Sequence, residues 1–167
     1  KGDKKEKLSN LNSPYIGTSY TNEFIKTIID KKEELKKFDI KYYEEKSDLY
    51  PILANLIYHN KIVGFFNNKM EFGARSLGNR SIIANPCGKN IKEIINLKIK
   101  RRESFSPFAP AILKSEKKKW FYNNRENPYM SSVEEIRIEK RNIIPAVTHI
   151  DGSGRIQTVT KETNEDF

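Results

Sequence analysis

A chain of 167 residues, 37% of them hydrophobic, suits one domain with a real core and would be cramped as two. Its formal charge of +9, from 31 Lys+Arg against 22 Asp+Glu, admits anionic ligands or nucleic acid, but much of the lysine is spread through KGDKKEK, KKEELKK and SEKKK, which read as solvated faces. Cys87 is the only cysteine, which excludes an intrachain disulfide, no apolar run is long enough to span a bilayer, and the opening KGDKKEKLSN lacks the apolar core of a signal peptide, so the expected location is cytoplasmic.

Residues 1–20 are polar and contain Pro14 and Gly17, the composition of an extended linker. Thr21 is a good N-cap for a helix running to about Lys37, with Phe24, Ile25, Ile28 and Ile29 as its apolar stripe. Ser47 or Asp48 can cap a second helix to about Asn60, which turns Leu49, Leu53, Leu56 and Ile57 inward. KIVGFF at 61–66 is a strand candidate, and Ser81 to Ala84 is another, ended by Pro86.

Between those strands lies MEFGARSLGNRS, at 70–81, with Arg75 and Arg80 set around Gly73 and Gly78. Glycine tolerates positive φ and leaves room for close approach to the backbone, and a guanidinium offers a planar fork of donors that matches anionic oxygens. The segment therefore reads as a shaped anion loop, against the simpler reading of two surface arginines beside an ordinary turn.

Ile91, Ile94, Ile95 and Ile99 recur at the spacing of a helix face over 89–99, which puts Lys100 and Arg102 just past a helix C-terminus. The helix dipole alone favours cations there. In the FSPFAP segment, Phe105 and Phe108 read as core residues, and Ala111 to Leu113 as a buried strand. Ser115 can cap a short lysine-rich helix ending near Trp120-Phe121-Tyr122, an aromatic cluster suited to core or interface, and residues 129–139 alternate loosely as a strand. Ala146 to Ile150 and Arg155 to Val159 then form a predicted hairpin around Asp151-Gly152-Ser153-Gly154. Arg155 follows that turn, where it can face an anion with backbone amides, while His149 and Asp151 share a face. A lone histidine ranks below the arginines, Asp151 is a natural turn former, and Cys87 gains no evident activating base.

Three blocks, MEFGARSLGNRS, the Lys100 to Pro110 run and THIDGSGRIQTV, together and in this order resemble the C-terminal domain of the carbamoyltransferases of nodulation-factor and antibiotic biosynthesis. The likeness runs from about Ser13 to Val159. It implies an α/β domain, a YrdC-like twisted mixed β-sheet with flanking helices, over 21–167. It also implies that the complete domain makes carbamoyl adenylate from ATP and carbamoyl phosphate, and that a separate N-terminal domain transfers the carbamoyl group to a hydroxyl of a small-molecule acceptor. By the same likeness Lys100 and Arg102 are the K-x-R pair aimed at the phosphate and carbamoyl groups of the adenylate and share the catalytic role with Arg155. Arg75, Arg80, Lys100, Arg102, His149 and Arg155 hold the nucleotide. Magnesium would arrive with the ATP phosphates, since no Cys/His cluster supports a dedicated metal site.

Two departures stand out. Ser106 occupies a position where family members often carry arginine, and the Asn-Thr-Ser-Phe-Asn type segment of the family would lie beyond Phe167. The chain is thus expected to be a fragment of a longer enzyme, inactive or weakly active by itself. The rival readings are a non-enzymatic basic module that binds nucleic acid or docks a partner domain, which the placement of the arginines in glycine-shaped loops disfavours, and an enzyme of the threonylcarbamoyl-adenylate class.

Overall fold

In the computed structural model, which describes residues 13–167, the first helix begins where its capping residue puts it. Thr21 is extended and its Oγ1 accepts the Phe24 N–H at 3.2 Å, satisfying an amide that has no partner inside the helix. Helix α1 spans Asn22–Lys31 and stops short of Lys37, because Lys32 leaves helical angles and a separate 3-10 turn covers Glu33–Leu35. Of its expected inward stripe only Ile29 is half-buried, and Phe24, Ile25 and Ile28 stay exposed. Helix α2 spans Lys46–Tyr58 with Glu45, not Ser47 or Asp48, at the cap. Leu49, Leu53 and Ile57 recur every four residues and are half-buried, whereas Leu56 is exposed.

Of the linker expected over 1–20, residues 1–12 lie outside the described residues. Its remainder runs against the arginine loop: Gly17 N–H donates to the Met70 carbonyl at 2.9 Å, Met70 N–H to that of Thr18 at 3.0 Å, and Phe72 N–H to that of Pro14 at 2.7 Å.

Strands β1 (Val63–Phe66) and β2 (Arg80–Ile83) pair antiparallel, with Val63 opposite Ile83 and Phe66 opposite Arg80. Helix α3 (Ile91–Ile94) continues as a π-helical segment, Ile95–Lys100, and buries Ile91 and Ile95. Strand β3 (Ala111–Leu113) leads through a 3-10 turn containing Ser115 into α4 (Lys117–Trp120). Strand β4 (Glu134–Glu135), helix α5 (Ile138–Arg141), strands β5 (Ser153–Gly154) and β6 (Gln157–Val159) and helix α6 (Lys161–Asn164) complete the order. The predicted strand over 129–139 is thereby reduced to two residues, with a helix starting at Ile138.

The architecture is mixed α/β. In place of one twisted sheet, the described residues form three two-stranded sheets, β1–β2, β3–β6 and β4–β5. The predicted hairpin is not formed. His149 N–H reaches the Ser153 carbonyl at 2.8 Å and Gly152 N–H reaches that of His149 at 3.0 Å, so the turn chemistry is satisfied locally, but the arms find separate partners. β5 pairs antiparallel with β4, β6 pairs parallel with β3, and 146–150 is turn and irregular backbone rather than strand.

The core has two buried clusters, one of Phe121, Ile136, Ile144, Val147 and Ile156, the other of Ile91, Ile95 and Ala146, and Phe108 packs against both. Phe105, expected beside it, is 75% exposed: it sits in the turn that the Ser106 N–H closes onto the Glu103 carbonyl at 3.1 Å, ahead of the segment that carries Phe108 inward. Lys117 and Glu134 form an ion pair of 2.6 Å with side chains 1% and 4% exposed, and Lys117 also donates to the Arg125 carbonyl. Among the described residues, no helix is long and apolar enough to cross a membrane.

Candidate functional site

The arginine loop is held by a carboxylate that its own pattern does not announce. Glu71, 8% exposed, accepts on Oε1 the backbone N–H groups of Leu77 and Asn79, each at 2.8 Å, and of Arg80 at 3.1 Å. Burial works against the charged carboxylate, but these backbone donors prevail and hold its pKa below the ordinary value. Gly73 and Gly78 have φ of 115° and 116°, a region that side chains with a Cβ rarely adopt. At Gly78 a Cβ would also stand 2.6 Å from the ring of Phe167.

The consequence is a division of labour between the two arginines. Arg75 remains exposed and lines a cavity of about 590 Å³. Arg80 does not: its guanidinium donates to the carbonyls of Asn67 at 2.5 Å, Asn79 at 2.9 Å, Asn68 at 3.0 Å and Thr18 at 3.2 Å, and lies 3.5 Å from the centroid of Phe66. With four of its five donors taken by backbone carbonyls and its plane seated on an aromatic face, this guanidinium braces the loop.

The second cationic group is set by the end of the π-helical segment. Arg101 turns left-handed at φ 49°, which separates Lys100 from Arg102. Asn96, fully buried, donates through Nδ2 to the carbonyls of Ser104 at 2.9 Å and Ser106 at 2.8 Å, and accepts Arg102 Nε at 2.8 Å. The guanidinium of Arg102 also sits 5.0 Å from the Phe108 centroid. Its orientation is thus fixed before any ligand arrives.

The third group comes from the 149–157 segment. His149 Nδ1 lies 3.1 Å from Ser153 Oγ, and Ser153 donates to Asp151 through Oγ at 2.5 Å and through its amide at 3.0 Å. Burial holds the imidazole pKa below its usual value; Asp151 pulls it up, while Arg155 and Lys92 push it down. The Ser153 hydrogen bonds hold the Asp151 carboxyl below its own range.

Arg75, Lys100, Arg102, His149 and Arg155 all line the 590 Å³ cavity, so five of the six residues expected from sequence share one wall, and Arg80 stands apart. The described wall carries no carboxylate. Sequence reasoning missed Glu71, Asn96 and two further wall residues, Gln157 and Phe167. Each has a faint signal: an acid beside a glycine-rich run, and single polar residues within otherwise apolar helix and strand patterns. Phe167 is carried by Asp166, whose carboxylate accepts Lys46 Nζ at 2.7 Å, Tyr50 Oη at 2.6 Å and Asn67 Nδ2 at 2.9 Å. Burial opposes the charge, but these donors lower the Asp166 pKa to about 2, and burial together with that carboxylate raises the Tyr50 phenol. Cys87 is exposed and stands off the cavity wall.

Comparison with known proteins agrees with the sequence blocks. The family described as Carbamoyltransferase C-terminus matches residues 54–167. An uncharacterized protein of Synechocystis is 39% identical over 170 residues, covering 90% of this chain and 27% of its own length. An uncharacterized protein of Methanocaldococcus jannaschii is 39% identical over 99% of this chain and 32% of its own length. Nodulation protein NolO of Bradyrhizobium diazoefficiens is 37% identical over 72% of this chain and 23% of its own length. The chain thus spans about a quarter to a third of the length of these relatives.

Proposed function

The chain belongs to the carbamoyltransferase family, through that family's C-terminal region, and from this premise we propose that its cationic cavity is where carbamoyl adenylate is assembled from ATP and carbamoyl phosphate, within a YrdC-like domain. In this reading the longer protein supplies an N-terminal domain that passes the carbamoyl group to the hydroxyl of a small-molecule acceptor. The observation that carries it is the meeting of Arg75, Lys100, Arg102 and Arg155 with His149, from three separate blocks, around one space of about 590 Å³. That volume lies within the usual range for a small-molecule site, roughly 300–1,000 Å³.

The chemistry asks for little more. In this reading water first cleaves carbamoyl phosphate to carbamate and inorganic phosphate; as an oxygen of that carbamate then attacks the α-phosphorus of ATP and pyrophosphate leaves, negative charge builds on the phosphoryl oxygens. Fixed cations in a wall without carboxylates stabilise that charge without reorganising. Asn96 and the Phe108 ring hold Arg102 in place, Glu71 holds the backbone that presents Arg75, and no nucleophilic side chain is needed. The wall offers magnesium no carboxylate, and no cluster of three metal-ligating side chains occurs among the described residues, so in this reading the ion travels with the triphosphate.

The test is a thermal shift with ATP. Saturating nucleotide stabilises by mass action, about 2.7 kcal/mol at a hundredfold excess over Kd, and Arg75→Ala or Lys100→Ala removes most of that shift. Silence toward ATP, together with RNA affinity that falls steeply with salt, would replace this reading with a nucleic-acid module.

A further inference from the structure

A second cavity, of about 320 Å³, adjoins the cationic one, and its lining has a different character. Pro14, Ile16, Phe72, Leu77 and Tyr129 give it apolar and aromatic surface, and among the described residues its one charged side chain is Arg75. Backbone pairing assembles one side: Phe72 N–H donates to the Pro14 carbonyl at 2.7 Å and Gly17 N–H to that of Met70 at 2.9 Å, which lays Pro14 and Ile16 beside Phe72. A buried amide fixes the other. Asn127, 2% exposed, donates through Nδ2 to the Ser132 carbonyl at 3.0 Å and accepts the Ser131 N–H at 2.9 Å, which closes the loop that carries Tyr129. Phe72, Ile16 and Tyr129 are nevertheless 75%, 49% and 47% exposed. Apolar side chains scattered singly over a surface need no cause, but several gathered around one concave space mark a binding site.

Two segments straddle the boundary between the cavities. Ala74 and Arg75 line both. Tyr129 lines the apolar cavity and the next residue, Met130, the cationic one. Met130 sits in the left-handed region at φ 53°, a conformation that costs a residue with a Cβ energy and clusters at functional sites, and this reversal sets the two neighbours on opposite sides of the seam. The rings of the cationic cavity are already committed: Phe108 packs on both core clusters and carries the Arg102 guanidinium, and Phe167 lies beside Phe65. The pair of cavities therefore suits a molecule with anionic oxygens at one end and a flat, weakly polar ring at the other. Resting on the adenylate reading above, we propose that the apolar cavity is the base subsite: the base of the nucleotide lies against Phe72 and Tyr129, Arg75 stands at the seam, and the phosphates lie among Lys100, Arg102 and Arg155.

Inorganic tripolyphosphate, which keeps the anionic chain and lacks base and sugar, is the discriminating probe. Calorimetric Kd values of the whole chain for ATP and for tripolyphosphate, each with magnesium, give a ratio in which a general loosening of the cationic site cancels. Stacking a base on an aromatic side chain is worth about fivefold or more in affinity, so the wild type is expected to prefer ATP by at least that factor. Phe72→Ser should lower the preference about fivefold or more and leave the tripolyphosphate Kd unchanged. Phe72 is exposed, so its loss removes no core packing; should that variant still fail to fold, Ile16→Ser on the opposite segment decides by the same ratio. A wild-type ratio near one, or a ratio unmoved in the folded variant, overturns the base subsite and leaves the adenylate reading standing. Equal weakening of ATP and tripolyphosphate would show that Phe72 supports the arginine loop rather than a base, and equally overturns it. Binding of neither ligand by the wild type removes the adenylate reading and this one with it.

Discussion

Glu71→Gln isolates the charge that shapes the arginine loop. The amide keeps a carbonyl oxygen where Oε1 receives the N–H groups of Leu77, Asn79 and Arg80, so no donor is abandoned and only charge assistance is lost. Hydrogen bonds to a charged acceptor are worth about 1.5–3 kcal/mol against about 0.5–1.5 for neutral ones. Three bonds weakened by about 1 kcal/mol each, offset by the carboxylate no longer having to be buried, leave a net loss of roughly 1–2 kcal/mol at pH 7. Because the folded pKa lies below the ordinary 4.5, this contribution is fully present above pH 4.5 and disappears as pH falls through the folded value. Urea unfolding of both proteins from pH 7 to pH 3 should therefore give two curves that converge in acid. A gap that stays constant with pH, or no gap at pH 7, would show that the loop does not depend on this carboxylate.

Lys117→Met leaves the Glu134 carboxylate buried without its partner and is expected to cost about 3–5 kcal/mol, while adding Glu134→Leu should restore most of it; urea midpoints check both, and a single-variant loss below about 1 kcal/mol would refute the role of the pair. Asp166→Asn removes a carboxylate whose pKa falls from 3.8 to about 2, worth roughly 2 kcal/mol at neutral pH. That stability holds above pH 3.8 and is lost as pH drops through about 2, so thermal melts of wild type and variant should differ at pH 7 and draw together in strong acid.

What could be read from sequence was what near neighbours decide. The Thr21 cap, the β1 and β2 strands and the face of Ile91 and Ile95 follow from contacts within a few residues, and the structure reproduces them within a residue or two. The hairpin failed for the opposite reason. Asp151-Gly152-Ser153-Gly154 does make a tight turn, but whether two flanking segments pair is settled by competition with strands elsewhere, and β4 and β3 offered better partners. Helix α1 shows a related gap: its apolar stripe is present, yet among the described residues Phe24 meets only the stacked ring of Tyr20 and, with Ile25 and Ile28, stays exposed. That Arg75, Lys100, Arg102 and Arg155 line one cavity was legible because all three blocks carry cations, two of them beside glycine turns, in an order shared with one family. Glu71, Asn96 and Gln157 were not, since a polar residue becomes informative only when its buried partners are known.

Arg75 and Arg80 illustrate how one motif divides its work. Both lie in a glycine-shaped segment and both carry the same fork of donors, so composition alone assigns them one role. The backbone separates them. Once Glu71 gathers the amides of Leu77, Asn79 and Arg80, the chain curls so that the carbonyls of Asn67, Asn68 and Asn79 face the Arg80 guanidinium, and Phe66 on β1, opposite Arg80 on β2, closes over it. A cation held in this way offsets the loop's own carbonyl dipoles and stiffens the ribbon on which Arg75 is presented. The same pairing recurs at Asn96 and Arg102, where a buried amide gathers the Ser104 and Ser106 carbonyls and aligns the arginine beside them. Arg75 and Arg102 are thus each backed by a buried polar residue that organises backbone, and in the proposed adenylate reading the preorganisation that electrostatic catalysis requires is set by Glu71 and Asn96 as much as by the arginines themselves.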